Sequence, residues 1–289
     1  MIRLALLLAL LPLTAAAHTL APQRWAGPEP WLLAPMLLAG FLYGLGWRRL
    51  SARSGPGLSE LKRRGLIFAA GWTILAAATL SPLHALGGCS FAAHMLEHEL
   101  IMLAAAPLFV WSRPLGVMLW AFGAPTRQAL AGIPRSRAGG GAWRLLSDPL
   151  LATVLQSAAI WIWHLPSLFD AALRSEAWHI AQHASFFVTA LLFWSAMLGV
   201  RRSAWTAALC LFATSLTTGA LGAFMALSQS PWYRAYAAMG LAAFGLTAAE
   251  DQQAAGLLMW VPGGLFHAIA ALVILAPHLS DSLREPRHG

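Results

Sequence analysis

The sequence predicts an all-α fold: a polytopic membrane helical bundle of about seven transmembrane helices after a cleavable signal peptide. Three observations carry that reading. Of 289 residues, 58% are hydrophobic and only 10% charged, where a soluble domain carries about 25% charged residues. The apolar residues fall into runs close to the roughly 20 residues that span a bilayer core, and mean hydropathy is +0.63. The 14 tryptophans suit the headgroup level, where Trp concentrates. The net charge of +8 does not indicate nucleic acid, because no basic stripe carries interleaved stacking aromatics.

Taken in order, Met1-Ile2-Arg3 followed by LALLLALLPL and Ala15-Ala16-Ala17 reads as a signal peptide: one positive charge, a short apolar core and a small-residue end. Cleavage after Ala17 leaves residues 18–289 as a single membrane domain beginning at His18. Seven spans follow, at about Trp31–Trp47, Gly65–Leu80, Phe91–Trp111, Pro149–His164, Trp178–Val200, Trp205–Leu227 and Gln252–Pro277. Pro114–Gly123 is apolar but too short to span, and reads as an interfacial helix or a continuation of the third span. The long loop Arg113–Asp148, with Gly139-Gly140-Gly141, reads as linker with a short helix. Cys89 and Cys210 are far apart in sequence, and no disulfide framework is indicated; Cys210, inside an apolar run, reads as a small core residue.

Charge sets the orientation. With the mature N-terminus outside, fifteen Lys and Arg residues fall in inner loops and the tail, and only Arg24, Arg174 and Arg234 lie outside. The positive-inside rule therefore puts the N-terminus in the periplasm and the C-terminus in the cytoplasm of a bacterial inner membrane.

On that map, His94/His98 and His179/His183 open the third and fifth spans, and His164 closes the fourth, all at the outer edge. Residues i and i+4 share a helix face, so each pair presents two imidazoles to one guest. Ionisable groups in membrane segments are costly and mark function by default. The five histidines are the primary candidate metal ligands. Glu97, Gln182, Met95, Asp251, Gln252 and Gln253 are candidate supports, with Asp251 suited to capping its own helix. His18, His84 and Cys89 are further candidate ligands. Imidazole with thioether or thiolate favours copper over Mg or Ca. Glu99 flanks His98 on the same outer segment, and His267 lies deeper.

The run HMLEHELIMLAAAPLFVWSRP (His94–Pro114) resembles the signature segment of the caa3-type cytochrome c oxidase assembly factor family, CtaG. Further matching motifs run in order: Trp163-His164-Leu165-Pro166 through Asp170, His179-Ile180-Ala181-Gln182-His183, Pro231-Trp232-Tyr233, and Asp251-Gln252-Gln253-Ala254-Ala255-Gly256 leading to Met259-Trp260. The resemblance covers roughly Trp31 to Pro277. It implies a seven-span inner-membrane protein that helps mature a haem–copper oxidase by delivering copper, with oxidase subunits and a periplasmic copper chaperone as partners. It implies a non-enzymatic role and gives His18 no support.

Three rivals remain open at this stage. A haem-binding membrane protein would use two histidines from different helices as axial ligands. A copper transporter would need polar groups continuing inward, for which the sequence offers His267 and hydroxyls such as Thr217 and Thr218. A membrane zinc peptidase is suggested by His94-Met95-Leu96-Glu97-His98, which matches H-x-x-E-H; it would also need a third ligand and an open cleft.

Overall fold

The computed structural model describes residues 30–199, 203–241 and 243–284. The expected signal peptide and His18 lie outside them. The described residues are helical, and their only extended pairing is an isolated antiparallel bridge between Leu241 and Thr247.

Two 22-residue helices come first, α1 (Pro30–Ser51) and α2 (Leu58–Thr79). A short α3 (Pro82–Gly87), started by Ser81 and Pro82, leads into α4 (Phe91–Ser112). Residues Leu100–Ala105 of α4 form a π turn. Its cause is local: Pro107 has no N–H to return to the Leu103 carbonyl, and the helix widens immediately before it. Arg113, with φ 51°, ends α4 in a left-handed conformation. Pro114 therefore starts a separate helix, α5 (Pro114–Met118), and does not continue the span.

The expected linker is also helical: α6 (Ala124–Gly132) and α7 (Arg137–Leu146) occupy it. The glycine patch lies inside α7, because the Ser136 hydroxyl accepts from the Gly139 N–H and caps that helix. After α7 the chain bends by 64° into α8 (Pro149–Trp163), which Asp148 caps by accepting from Leu150 and Leu151. Then come α9 (Pro166–Arg174), α10 (Glu176–Met197), α11 (Ala204–Leu227), the single-turn α12 (Arg234–Ala237) and α13 (Ala248–Arg284).

Among the described residues, four helices are long and apolar enough to cross a membrane: Phe91–Ser112, Glu176–Met197, Ala204–Leu227 and Ala248–His278; the bent α7–α8 pair makes a fifth if it is one span. The remaining expected spans are less clear-cut for visible reasons. Arg48 and Arg49 close α1, Glu60, Lys62, Arg63 and Arg64 crowd the start of α2, and α8 alone has only 15 residues.

The tightest packing joins α11 to α13. A Cβ on Gly222 would lie 2.7 Å from the Gly256 carbonyl oxygen and 2.9 Å from the Trp260 nitrogen. A Cβ on Gly256 would in turn strike the Gly222 carbonyl. Two glycines thus let the backbones touch, as small residues do where membrane helices associate. The main core gathers Phe91, Phe169, Phe186, Phe193, Leu211 and Met225 between these helices and α4, α8 and α10.

Candidate metal centre

The first turns of α4 and α10 and the short α3 bring five imidazoles together. The ligand nitrogens of His94, His98 and His183 lie within 4.8 Å of one another, and so do those of His84, His179 and His183. His183 belongs to both triads. The first triad is buried, while in the second His84 and His179 are only partly so. Ring centroids stand 4.4 Å apart for His94–His98, 4.4 Å for His179–His183 and 4.9 Å for His98–His183. His84 stacks on His179 at 5.2 Å.

Glu97 joins this knot. Its Oε1 accepts from His84 Nδ1 at 2.8 Å and lies 3.7 Å from His183 Nδ1. A carboxylate on Nδ1 fixes the proton there and leaves Nε2 as a lone-pair donor, the arrangement that commonly orients metal-binding histidines. Tyr236 does the same for His94. Its hydroxyl donates to the Gly87 carbonyl at 2.5 Å, so its oxygen accepts from His94 Nδ1 at 3.4 Å and frees Nε2.

The nitrogens left over mark what the knot can take. His94 Nε2, His179 Nε2 and both ring nitrogens of His98 and His183 are buried without a hydrogen-bond partner among the described residues. Native interiors rarely leave buried polar atoms unpaired. Several unpaired lone pairs converging within coordination reach fit a metal cation, and imidazole suits copper and zinc.

A family model for the cytochrome c oxidase caa3 assembly factor (Caa3_CtaG) matches residues 41–280, nearly the whole membrane region. The chain belongs to that family. No curated protein and no solved structure matches it. All five histidines of the caa3 assembly factor's two triads lie within the matched stretch.

The other expected residues divide. His164 is buried but enters neither triad. Its Nδ1 donates to the Ile160 carbonyl at 2.7 Å, and its Nε2 faces Met95 Sδ at 3.3 Å. Phe169 touches both His94 and His164, and Phe186 both His98 and His164. Gln182 is fully buried, yet neither end of its amide has a hydrogen-bond partner, so it orients no ring.

Asp251 caps a helix, but not its own. It accepts from Ser90 Oγ at 2.8 Å, Phe91 N at 2.5 Å and Ala92 N at 3.3 Å, reaching from α13 to hold the start of α4. Those orphan N–H groups need an acceptor, and Asp251 supplies one beside the knot. Gln252 and Gln253 pin the preceding loop: Gln252 accepts from Trp232 N at 2.6 Å and donates to Ser230 O at 3.2 Å, and Gln253 donates to Ser228 O at 2.9 Å. Cys89 stands outside both triads, its thiol pushed up by burial and then by the Asp251 carboxylate.

Two contributors escaped sequence reasoning. Tyr236 carried no signal, lying outside the matching motif Pro231-Trp232-Tyr233 and on the single-turn α12. Trp31 stands edge-on to His84, His179 and His183 at 6.0–6.5 Å. Its place at the start of the first apolar run was the only hint.

Proposed function

We propose that this chain is a non-enzymatic assembly factor that holds copper at the His84/His94/His98/His179/His183 knot and passes it to cytochrome c oxidase as that enzyme is built. The observation that carries the reading is the pair of triads meeting at His183, with buried nitrogens awaiting a cation. A partly buried triad beside a fully buried one suits cargo that must be held and then released. The loop charges support a seven-span arrangement in the bacterial inner membrane, N-terminus periplasmic, C-terminus cytoplasmic and the knot facing out. On that topology the partly buried triad is the one nearer to a soluble periplasmic chaperone.

The rivals fare less well on geometry. A haem needs a flat, open slot between two axial histidines, whereas here five imidazoles crowd one another with ring centroids as close as 4.4 Å. The peptidase reading needs Glu97 open to substrate, and its side chain is 1% exposed and engaged with His84.

Purified protein in nanodiscs should bind Cu(II) with imidazole nitrogen hyperfine structure in its electron paramagnetic resonance spectrum. His94→Ala/His179→Ala should abolish that signature while the fold persists. Full retention of the nitrogen signal would place the site elsewhere. In cells, deletion should lower oxidase activity more than oxidase haem, with partial rescue by added copper. Normal activity in copper-limited medium would remove the assembly role.

A further inference from the structure

One residue beyond His98, Glu99 turns away from the knot and faces a separate chamber between α4, α8, α10, α11 and α13. The chamber measures about 20 Å³ and is lined by Glu99, Met102, Gln156, Met259 and His267, with Thr214 and Thr218 beside them. A space of that size admits about one water-sized guest. The π turn that follows Glu99 carries Met102 onto the same wall, and such turns often accompany functional sites.

The hydrogen bonds show what kind of guest. His267 Nδ1 donates to the Gly263 carbonyl at 2.8 Å, which leaves Nε2 as a lone-pair donor. The Thr214 and Thr218 hydroxyls spend their protons on helix carbonyls at 2.9 and 2.8 Å. Gln156 Nε2 donates to Met102 Sδ at 3.2 Å. Two buried atoms remain without partners, Glu99 Oε2 and Gln156 Oε1. Gln156 Oε1 accepts, and Glu99 Oε2 accepts when its carboxyl is ionised. What the chamber lacks is therefore a cation or a donor.

Charge and softness narrow the choice. Among the residues lining the chamber Glu99 is the only acid, so a monovalent guest is neutralised and a divalent one leaves a charge stranded at membrane depth, which is expensive. Two thioethers and an imidazole favour a soft ion over Na⁺ or K⁺. We propose that the Glu99–His267 chamber is a second cation site, distinct from the histidine knot, that takes a soft monovalent ion of the Cu(I) class with Glu99 as its counter-charge. The proposal goes beyond the assembly reading and does not depend on the knot binding anything.

The test is anaerobic Cu(I) titration of full-length protein in nanodiscs against a chromophoric chelator. In the His94→Ala/His179→Ala background about one equivalent should remain, and adding Glu99→Gln should remove it. Met102→Leu/Met259→Leu, which preserves volume, should weaken it at least tenfold. Gly263→Ala, whose new methyl would lie 3.1 Å from Glu99 Oε2, should also weaken it. Zn(II) should not occupy the site. Retention of the Cu(I) equivalent when Glu99→Gln is added to the His double variant, its absence from the His double variant itself, or equal Zn(II) binding would each overturn the proposal. Loss with Glu99→Gln while the His double variant keeps its Cu(II) signal would instead sink the knot and leave the chamber standing.

Discussion

At one end of the bundle polar side chains are packed inward with lone pairs left open, and at the other several cations are held outward against partners. His94, His98 and His183 are each no more than 5% exposed, yet none has both ring nitrogens satisfied. At the arginine end, Arg49 donates to the Ala121 carbonyl at 2.7 Å, and Arg127 lies 4.1 Å over the Trp120 ring. Arg63 and Arg64 both clasp Glu60, at 2.8 and 2.7 Å. The difference separates two uses of polarity in a lipid-facing chain. The arginine end is complete without a guest and anchors the helices. The histidine end is incomplete without one, and that incompleteness is the functional signal.

The sharpest way to break the comparison is His183→Ala, because this residue serves both triads. It should weaken Cu(II) binding by more than the 10–100-fold typical of losing a supporting partner, as read by competition titration, with α-helical circular dichroism intact. A smaller effect would mean the triads act independently of their shared ring.

Asp251→Ala comes next. It leaves the Ser90 N-cap of α4 in place but removes the acceptor of the buried Ser90 hydroxyl and Phe91 N–H, at a cost of roughly 2 kcal/mol. Thermal unfolding followed by tryptophan fluorescence should fall clearly, and Cu(II) affinity with it. An unchanged melting temperature would show that another acceptor takes over.

Acid should divide the two ends. Glu60, ahead of the second apolar run, is held down to about 2 by hydrogen bonds from Arg63 and then Arg64. A carboxylate depressed in the folded state keeps its full contribution above its ordinary value and loses it only as pH falls toward that lower one. Between pH 7 and 5 the stability gap between wild type and Glu60→Gln should therefore stay constant. Over the same interval copper affinity should drop, because protons compete for imidazole. Parallel melts and titrations at both pH values check this, and a widening or closing gap would contradict it.

The smallest effect expected is from Arg49→Ala. The Arg49 side chain is exposed, its bond to the Ala121 carbonyl is partly buried, and losing it should cost no more than about 1 kcal/mol, so melting and copper binding should both stay near wild type. A large loss in either would mean the arginine end reaches into the site.

Much of this was legible in the sequence because the signals are local. The i,i+4 histidines and the apolar runs place α4, α10 and α11 within two or three residues of their observed ends. What stayed hidden depends on contacts between distant segments or on backbone detail. His84 became a core member of the knot only because α3 folds back on α4, while His164 was drawn aside by its own helix carbonyl and Met95. Asp251 looked like a cap for its own helix, and nothing local showed that it would cap one 160 residues earlier. Glu99 is adjacent in sequence to the knot, but a step of about 100° around the helix delivers it to a different chamber. Glycine composition made α7 look like linker, and a single serine cap outweighed it.

The reach of Asp251 also sets a schedule for biogenesis. The turn bearing His94 and His98 emerges from the ribosome long before its anchor, since 160 residues separate Phe91 from Asp251. Until the last helix threads into the bilayer and its Gly256 seats against Gly222, the first turn of α4 has only the Ser90 hydroxyl, which takes the Ala93 N–H, and no acceptor for the amides of Phe91 and Ala92. A nascent or truncated chain therefore presents its histidines on a frayed helix end, unable to trap metal firmly. On the proposed copper-carrying reading, firm loading would wait until translation is finished, so the clamp would act as a checkpoint on the factory as well as a brace within the product.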